Sequence, residues 1–134
     1  MRFMLLQNYG EVESDCAPMT EWRLEDVTAH IAFQQALNEE LTARGELVDA
    51  QGLAGPEQAK FVVSDGTTAP VVTDGPYPES KELLAGYRII DVDTVERAIE
   101  IAAQASAAPA MNGEPIRQPI EVRQIMGAPQ LDDM

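Results

Sequence analysis

The sequence has one cysteine and one histidine in 134 residues, only nine lysines and arginines against 23 aspartates and glutamates, and three Phe, three Tyr and one Trp. Each scarcity closes a class of function. One thiol cannot form an intrachain disulfide, and one thiol with one imidazole cannot build a His/Cys zinc site. A lone cysteine suits a reducing compartment, so a cytoplasmic protein is expected. A formal charge of −14 without any lysine and arginine cluster argues against direct nucleic-acid binding, which depends on neutralising phosphates. The apolar runs fall short of the roughly 20 residues that span a bilayer. Gln7, Asp65 and Asp91 interrupt them. The opening Phe3 to Leu6 is also shorter than a secretory core of roughly 7–15 residues. Glycine-rich phosphate loops, GxSxG, CxxC and paired-histidine motifs are missing, and no cofactor or metal is expected. The acids Glu11, Glu13 and Asp15 lack the glycine-containing frame of a calcium loop and read as a solvated loop. Cys16, in the same stretch, has no flanking cation to activate it.

What is present suffices for one domain, 1–134, since 45% of the residues are hydrophobic and a chain of this length can bury a core without staples. Met1 to Tyr9 is an apolar run ended by Gly10 and reads as a central strand. Glu11 to Thr20 reads as a loop. From Thr20 the period becomes helical, with Val27, His30, Phe33, Leu37 and Leu41 on one stripe and Gly45 as the stop. Gln34, Gln35, Asn38, Glu39 and Glu40 fall largely elsewhere on that helix. Glu46 to Leu53 and Gln58 to Ser64 are expected strands, and Asp65-Gly66 reverses the second into a return arm, Ala69 to Thr73. Asp74-Gly75-Pro76-Tyr77-Pro78 then forms a stiff loop. Leu83 to Val92 is a further strand, and Asp93 with Glu96 makes a capping box for a second helix with the stripe Val95, Ala98, Ile99 and Ala102. Pro109 to Pro119 is a linker, Ile120 to Met126 a last strand, and 130–134 a flexible tail.

This order, strand, helix, strand, hairpin, strand, helix, strand, is the βαββαβ plan of a ferredoxin-like α+β domain with an extra hairpin. Two helices cover one face of an antiparallel sheet. Apolar residues at both parities (Phe3 and Leu5; Met4 and Leu6; Tyr87 and Ile89) would leave the other face greasy, so a homodimer with packed sheets is expected.

Few side chains are candidates for chemistry. His30 sits on the apolar stripe, where it is either a hydrogen-bonded core residue or a general acid or base at the floor of a cleft. Asp74, held before Gly75-Pro76, either caps its own turn or orients that imidazole. Tyr77, Tyr87 and Trp22 line a ligand pocket or belong to the core. Arg88 clamps an anionic substrate or, on an exposed strand face, balances nearby acids.

The stretch Val72-Thr73-Asp74-Gly75-Pro76-Tyr77-Pro78-Glu79-Ser80-Lys81-Glu82, followed by Gly86-Tyr87-Arg88-Ile89-Ile90-Asp91-Val92, resembles the YCII-related proteins of the DGPF subgroup. Met1 to Leu6, His30-Ile31-Ala32-Phe33, Leu37, Gly45 and Ile120 to Arg123 extend the likeness over nearly the whole chain. The resemblance implies a bacterial, dimeric α+β barrel domain. It further implies a His–Asp pair in a cleft, as in the wider superfamily, one branch of which eliminates chloride from a chlorinated aromatic. Tyr77 stands where the motif usually has Phe. Two functions follow from the resemblance. One is a small cofactor-independent enzyme acting on a cyclic or aromatic molecule through His30 and Asp74. The other is a non-catalytic ligand-sensing or partner-binding dimer, associated with an extracytoplasmic-function sigma factor.

Overall fold

Alternation along the strands decides which side chains meet the helices. In the computed structural model, which describes residues 1–8, 21–75 and 84–129, Phe3, Leu5 and Gln7 of β1 (Arg2–Asn8) share one face, and Met4 and Leu6 the other. The first helix is α1 (Leu24–Ala43), followed by β2 (Leu47–Gly52), the hairpin β3 (Lys60–Val63) and β4 (Val71–Asp74), then β5 (Leu84–Asp91), α2 (Val95–Ser106) and β6 (Ile120–Gln124). The main sheet is antiparallel with the order β2-β5-β1-β6, and β3 and β4 pair only with each other. This is the ferredoxin-like α+β arrangement, with the hairpin inserted between its second and third strands. The loop expected over 11–20 with Cys16, the residue Tyr77 and the tail 130–134 lie outside the described residues.

Both helices pack on the same face of the sheet. Phe3, Leu5 and Ile90 meet Leu37 and Leu41 from α1 and Ala98, Ile101, Ala102 and Ala105 from α2. The stripe expected on α1 is the buried one: His30, Leu37 and Leu41 are buried, with Val27 and Phe33 half-buried. Gly45, at φ +73°, ends α1 in a Schellman motif: Glu46 N–H donates to Leu41 O at 2.8 Å and Gly45 N–H to Thr42 O at 3.0 Å.

α2 departs from expectation in two ways. Its N-cap is Thr94, whose Oγ1 accepts from Arg97 N–H at 3.1 Å, rather than Asp93. Its buried stripe is Ala98, Ile101, Ala102 and Ala105, leaving Val95 and Ile99 exposed. Three alanines let the helix axis lie close to the sheet, so the turn carrying small residues wins the inward position over the one carrying Ile99.

One ion pair joins the end of α1 to α2. Arg97 Nε and Nη2 each donate at 2.9 Å to the two carboxylate oxygens of Glu46, and both side chains are largely shielded, with exposures of 20% and 15%. The Arg97 hydrogen bond holds the Glu46 carboxyl below its ordinary value, against the opposing effect of burial. A folded-state pKa below the unfolded one adds stability above the unfolded pKa and loses it as pH falls through the folded value. Wild type should exceed Glu46→Gln by on the order of 1 kcal/mol at neutral pH. In urea titrations the two should converge as pH drops well below 4.5.

Candidate functional site

The helix-facing side of the sheet changes character along its strands. Directly paired residues share a face, so the register defines rows across the sheet. The first row is Leu47, Ile90 and Phe3; the second is Ala50, Arg88, Leu5 and Val122; the third is Gly52, Gly86, Gln7 and Ile120. The core is therefore apolar at one end and polar, with little side-chain bulk, at the other. A shift in register between Leu47 and Asp49 puts Asp49 opposite Ile89 on the far face.

Arg88 is the unexpected occupant of the second row. It is only 3% exposed, because its parity is that of Gly86 and Ile90, so the exposed strand face read from the sequence is corrected. Its partners are neutral amides from α1: Nε donates to Asn38 Oδ1 at 2.8 Å, and Nη2 donates to Gln34 Oε1. Burial lowers the guanidinium's pKa from its ordinary value. An arginine still stays charged, which makes the amide oxygens necessary.

His30 is joined to the same group. Its Nδ1 lies 2.9 Å from the Pro109 carbonyl, which can only accept, so Nδ1 carries a hydrogen. Because Gln34 Oε1 is engaged by Arg88, its amide nitrogen faces His30 Nε2, at 3.4 Å, and donates to the ring's lone pair. Arg88, Gln34, His30 and Pro109 thus form one directed chain with a fixed amide orientation and a fixed tautomer. The stretch bearing Pro109 is closed on itself by a bridge between Pro109 and Pro115, and Asn112 N–H donating to Asp26 Oδ2 at 3.4 Å ties it to α1. Trp22, 8% exposed, packs edge-on against the imidazole with ring centroids 5.6 Å apart.

Of the other expected site residues, Asp74 and Tyr87 lie elsewhere. Asp74 ends β4 in the separate hairpin sheet, where Oδ1 accepts from Lys60 Nζ at 2.5 Å across the register pair. Its side chain is 79% exposed and meets Lys60 rather than His30; the turn from residue 76 on, which it was expected to cap, lies outside the described residues. Tyr87, next to Arg88 in sequence, points to the opposite face and donates its hydroxyl to Asp49 Oδ2 at 3.2 Å. Burial, and then the Asp49 carboxylate, raise its pKa. Tyr77 lies outside the described residues. The structure therefore gathers His30, Trp22 and Arg88, and adds Gln34 and Asn38. Their signal in the sequence was the spacing of His30, Gln34 and Asn38 four apart, which stacks them on one side of α1.

A shallow concavity on the outer side of α1, lined by Leu24, Thr28, Ala29 and Ala32, is separate from this group. Among the described residues no three His, Cys, Asp or Glu side chains are placed to hold a metal ion, and no helix is long and apolar enough to cross a membrane.

A ferredoxin-like α+β domain with a charged hydrogen-bond chain between its first helix and its sheet is the class these features define. The chain belongs to the YCII-related family: the pattern of the YCII-related domain matches residues 1–117. Among curated proteins none matches it.

Proposed function

We propose that this YCII-related protein, of the DGPF subgroup by its Asp74-Gly75-Pro76-Tyr77 motif, is a cytoplasmic homodimer. In this reading it binds a small cyclic or aromatic molecule without transforming it. The hydrogen-bond chain from Arg88 through Gln34 and His30 to Pro109 carries this reading. Acid–base catalysis needs an imidazole nitrogen available to substrate, and here one nitrogen donates to a carbonyl while the other accepts from an amide. The alternative pairing of His30 with Asp74 would require breaking both the Gln34 and the Lys60 contacts. Trp22 and Arg88 face the ligand, and Tyr87 belongs to the dimer face. Met4, Leu6, Tyr87 and Ile89, on the side of the sheet that neither helix covers, supply that dimer contact. A sensing dimer of this kind passes its state to a partner such as an extracytoplasmic-function sigma factor.

Trp22 is the sole tryptophan, so its emission reports directly on this interior. Titration with phenol, benzamide and benzoate should give a saturable change with at least one of them, and chromatography should recover that compound unchanged. His30→Ala should lower the unfolding free energy by about 1–3 kcal/mol, since it orphans the Pro109 carbonyl and the Gln34 amide. Conversion of a bound compound by wild type but not by His30→Ala would overturn the reading. So would a flat titration across the whole panel.

A further inference from the structure

The side of the sheet that neither helix covers carries a charge pattern of its own. Directly paired residues share a face, so the register sorts that side into rows. One row runs Asp49, Ile89, Met4 and Arg123 from the β2 edge to the β6 edge, and the next runs Gln51, Tyr87, Leu6 and Glu121. On the other flank of the first row Asp91 pairs with Arg2. The acids Asp49 and Asp91 thus stand on β2 and β5, and the bases Arg2 and Arg123 on β1 and β6. Half-buried Met4, Leu6, Tyr87 and Ile89 lie between them. Among the described residues of the four strands, Glu121 is the exception, an acid on the basic half with its Oε2 3.6 Å from Arg123 Nε.

Such a face meets a copy of itself in two simple ways, because a two-fold axis between aligned sheets runs either across the strands or along them. An axis across the strands stacks β2 on β2 and β6 on β6. It sets Asp49 against the partner's Asp49 and Arg123 against the partner's Arg123, like charge on like. An axis along the strands, between β5 and β1, stacks β2 on β6 and β5 on β1. Asp49 then faces the partner's Arg123, Asp91 faces the partner's Arg2, and Ile89 and Tyr87 face the partner's Met4 and Leu6. Glu121 lies over the partner's Gln51, whose amide nitrogen gives one hydrogen to Asp49 Oδ1 at 3.0 Å within its own chain and has a second to offer.

We propose that two copies of this chain associate in the second arrangement, β1 over the partner's β5 and β2 over its β6, with the acidic half of each sheet on the basic half of the other. The inference rests on the homodimer reading above and adds how the two copies are turned. Each copy carries a charge of −14, so two of them repel at a distance, and a local reversal of sign is what brings these faces together in one orientation. The apolar middle supplies the burial, and the charges around it select the partner and its register.

Light scattering over a concentration series of the full chain provides the test. Wild type should be a dimer. Arg123→Asp should raise the dimer dissociation constant at least about tenfold, because the new acid meets the partner's Asp49 twice in each dimer. Asp49→Arg should weaken association to a similar degree. The double variant Asp49→Arg with Arg123→Asp should recover it, since the opposed pairs return with their signs exchanged. Asp49 also accepts the Tyr87 hydroxyl, so Arg123→Asp, at a side chain 74% exposed, is the variant that does not threaten the fold. Arg44→Asp makes the same change of charge at the end of α1, on the other side of the sheet, and should leave association unchanged. A wild-type dimer that tolerates Arg123→Asp, or is weakened equally by Arg44→Asp, would overturn the arrangement and leave the dimer standing. So would a double variant no tighter than Arg123→Asp alone. A wild-type monomer at every concentration would remove both.

Discussion

Ile101→Ala is expected to lower the unfolding free energy by about 2–5 kcal/mol, seen in urea as a lower midpoint with an unchanged slope. Ile101 is fully buried, and the other inward residues of α2 are Ala98, Ala102 and Ala105. Its side chain is thus the one large apolar group by which this helix grips the sheet. Neighbouring alanines have no rotamers with which to fill the gap, so collapse around the cavity is limited and the upper half of the range is favoured. A domain of this size has a total stability of about 5–15 kcal/mol, so the loss would be a large part of it.

Arg88→Met is expected to cost about 2–4 kcal/mol in the same titration, for a different reason. Methionine fills much of the volume, so the cavity is small; the cost comes from leaving Gln34 Oε1 and Asn38 Oδ1 buried without a donor. Adding Gln34→Leu and Asn38→Leu to that variant should recover much of the loss, because an apolar interior of similar volume removes both the desolvated charge and the acceptors waiting for it. A strongly non-additive cycle would mark the three residues as one unit. Simple additivity would mean that Arg88 acts by packing alone.

The fold was legible wherever one period dominated. In α1 the spacing of Val27, His30, Phe33, Leu37 and Leu41 named the inner stripe, and Gly45 named the end, because a positive φ after a helix favours glycine. In β5, alternation could not choose a face. Tyr87 and Ile89 on one parity and Ile90 on the other offer apolar groups to both sides, so the burial of Arg88 was decided by the register with β1 and β2. The cap of α2 was misplaced by one residue, since Asp93 and Thr94 are both good caps and only backbone geometry separates them.

The site was legible to the extent that it depends on single residues. His30 was found because it interrupts an apolar stripe. Its partners were harder to see: Gln34 and Asn38 were set apart from the apolar stripe because they are polar, although their i+4 and i+8 spacing puts them on the side of His30, and Pro109 contributes only a carbonyl, which sequence cannot single out. Asp74 was conspicuous for its turn chemistry, yet its oxygen meets Lys60, a partner fixed by the pairing of two short strands.

The central position of β1 also governs the order in which the molecule can assemble. β1 precedes both of its neighbours by a long stretch of chain, since they lie in Leu84–Asp91 and Ile120–Gln124. Until those segments exist, Phe3 to Leu6 is an apolar strand with two open edges. Closing such distant pairs costs chain entropy before any contact rewards it, which slows folding relative to helical domains of equal length. A nascent chain therefore exposes its stickiest segment longest, and it is during synthesis, rather than in the finished protein, that this fold most needs protection from aggregation.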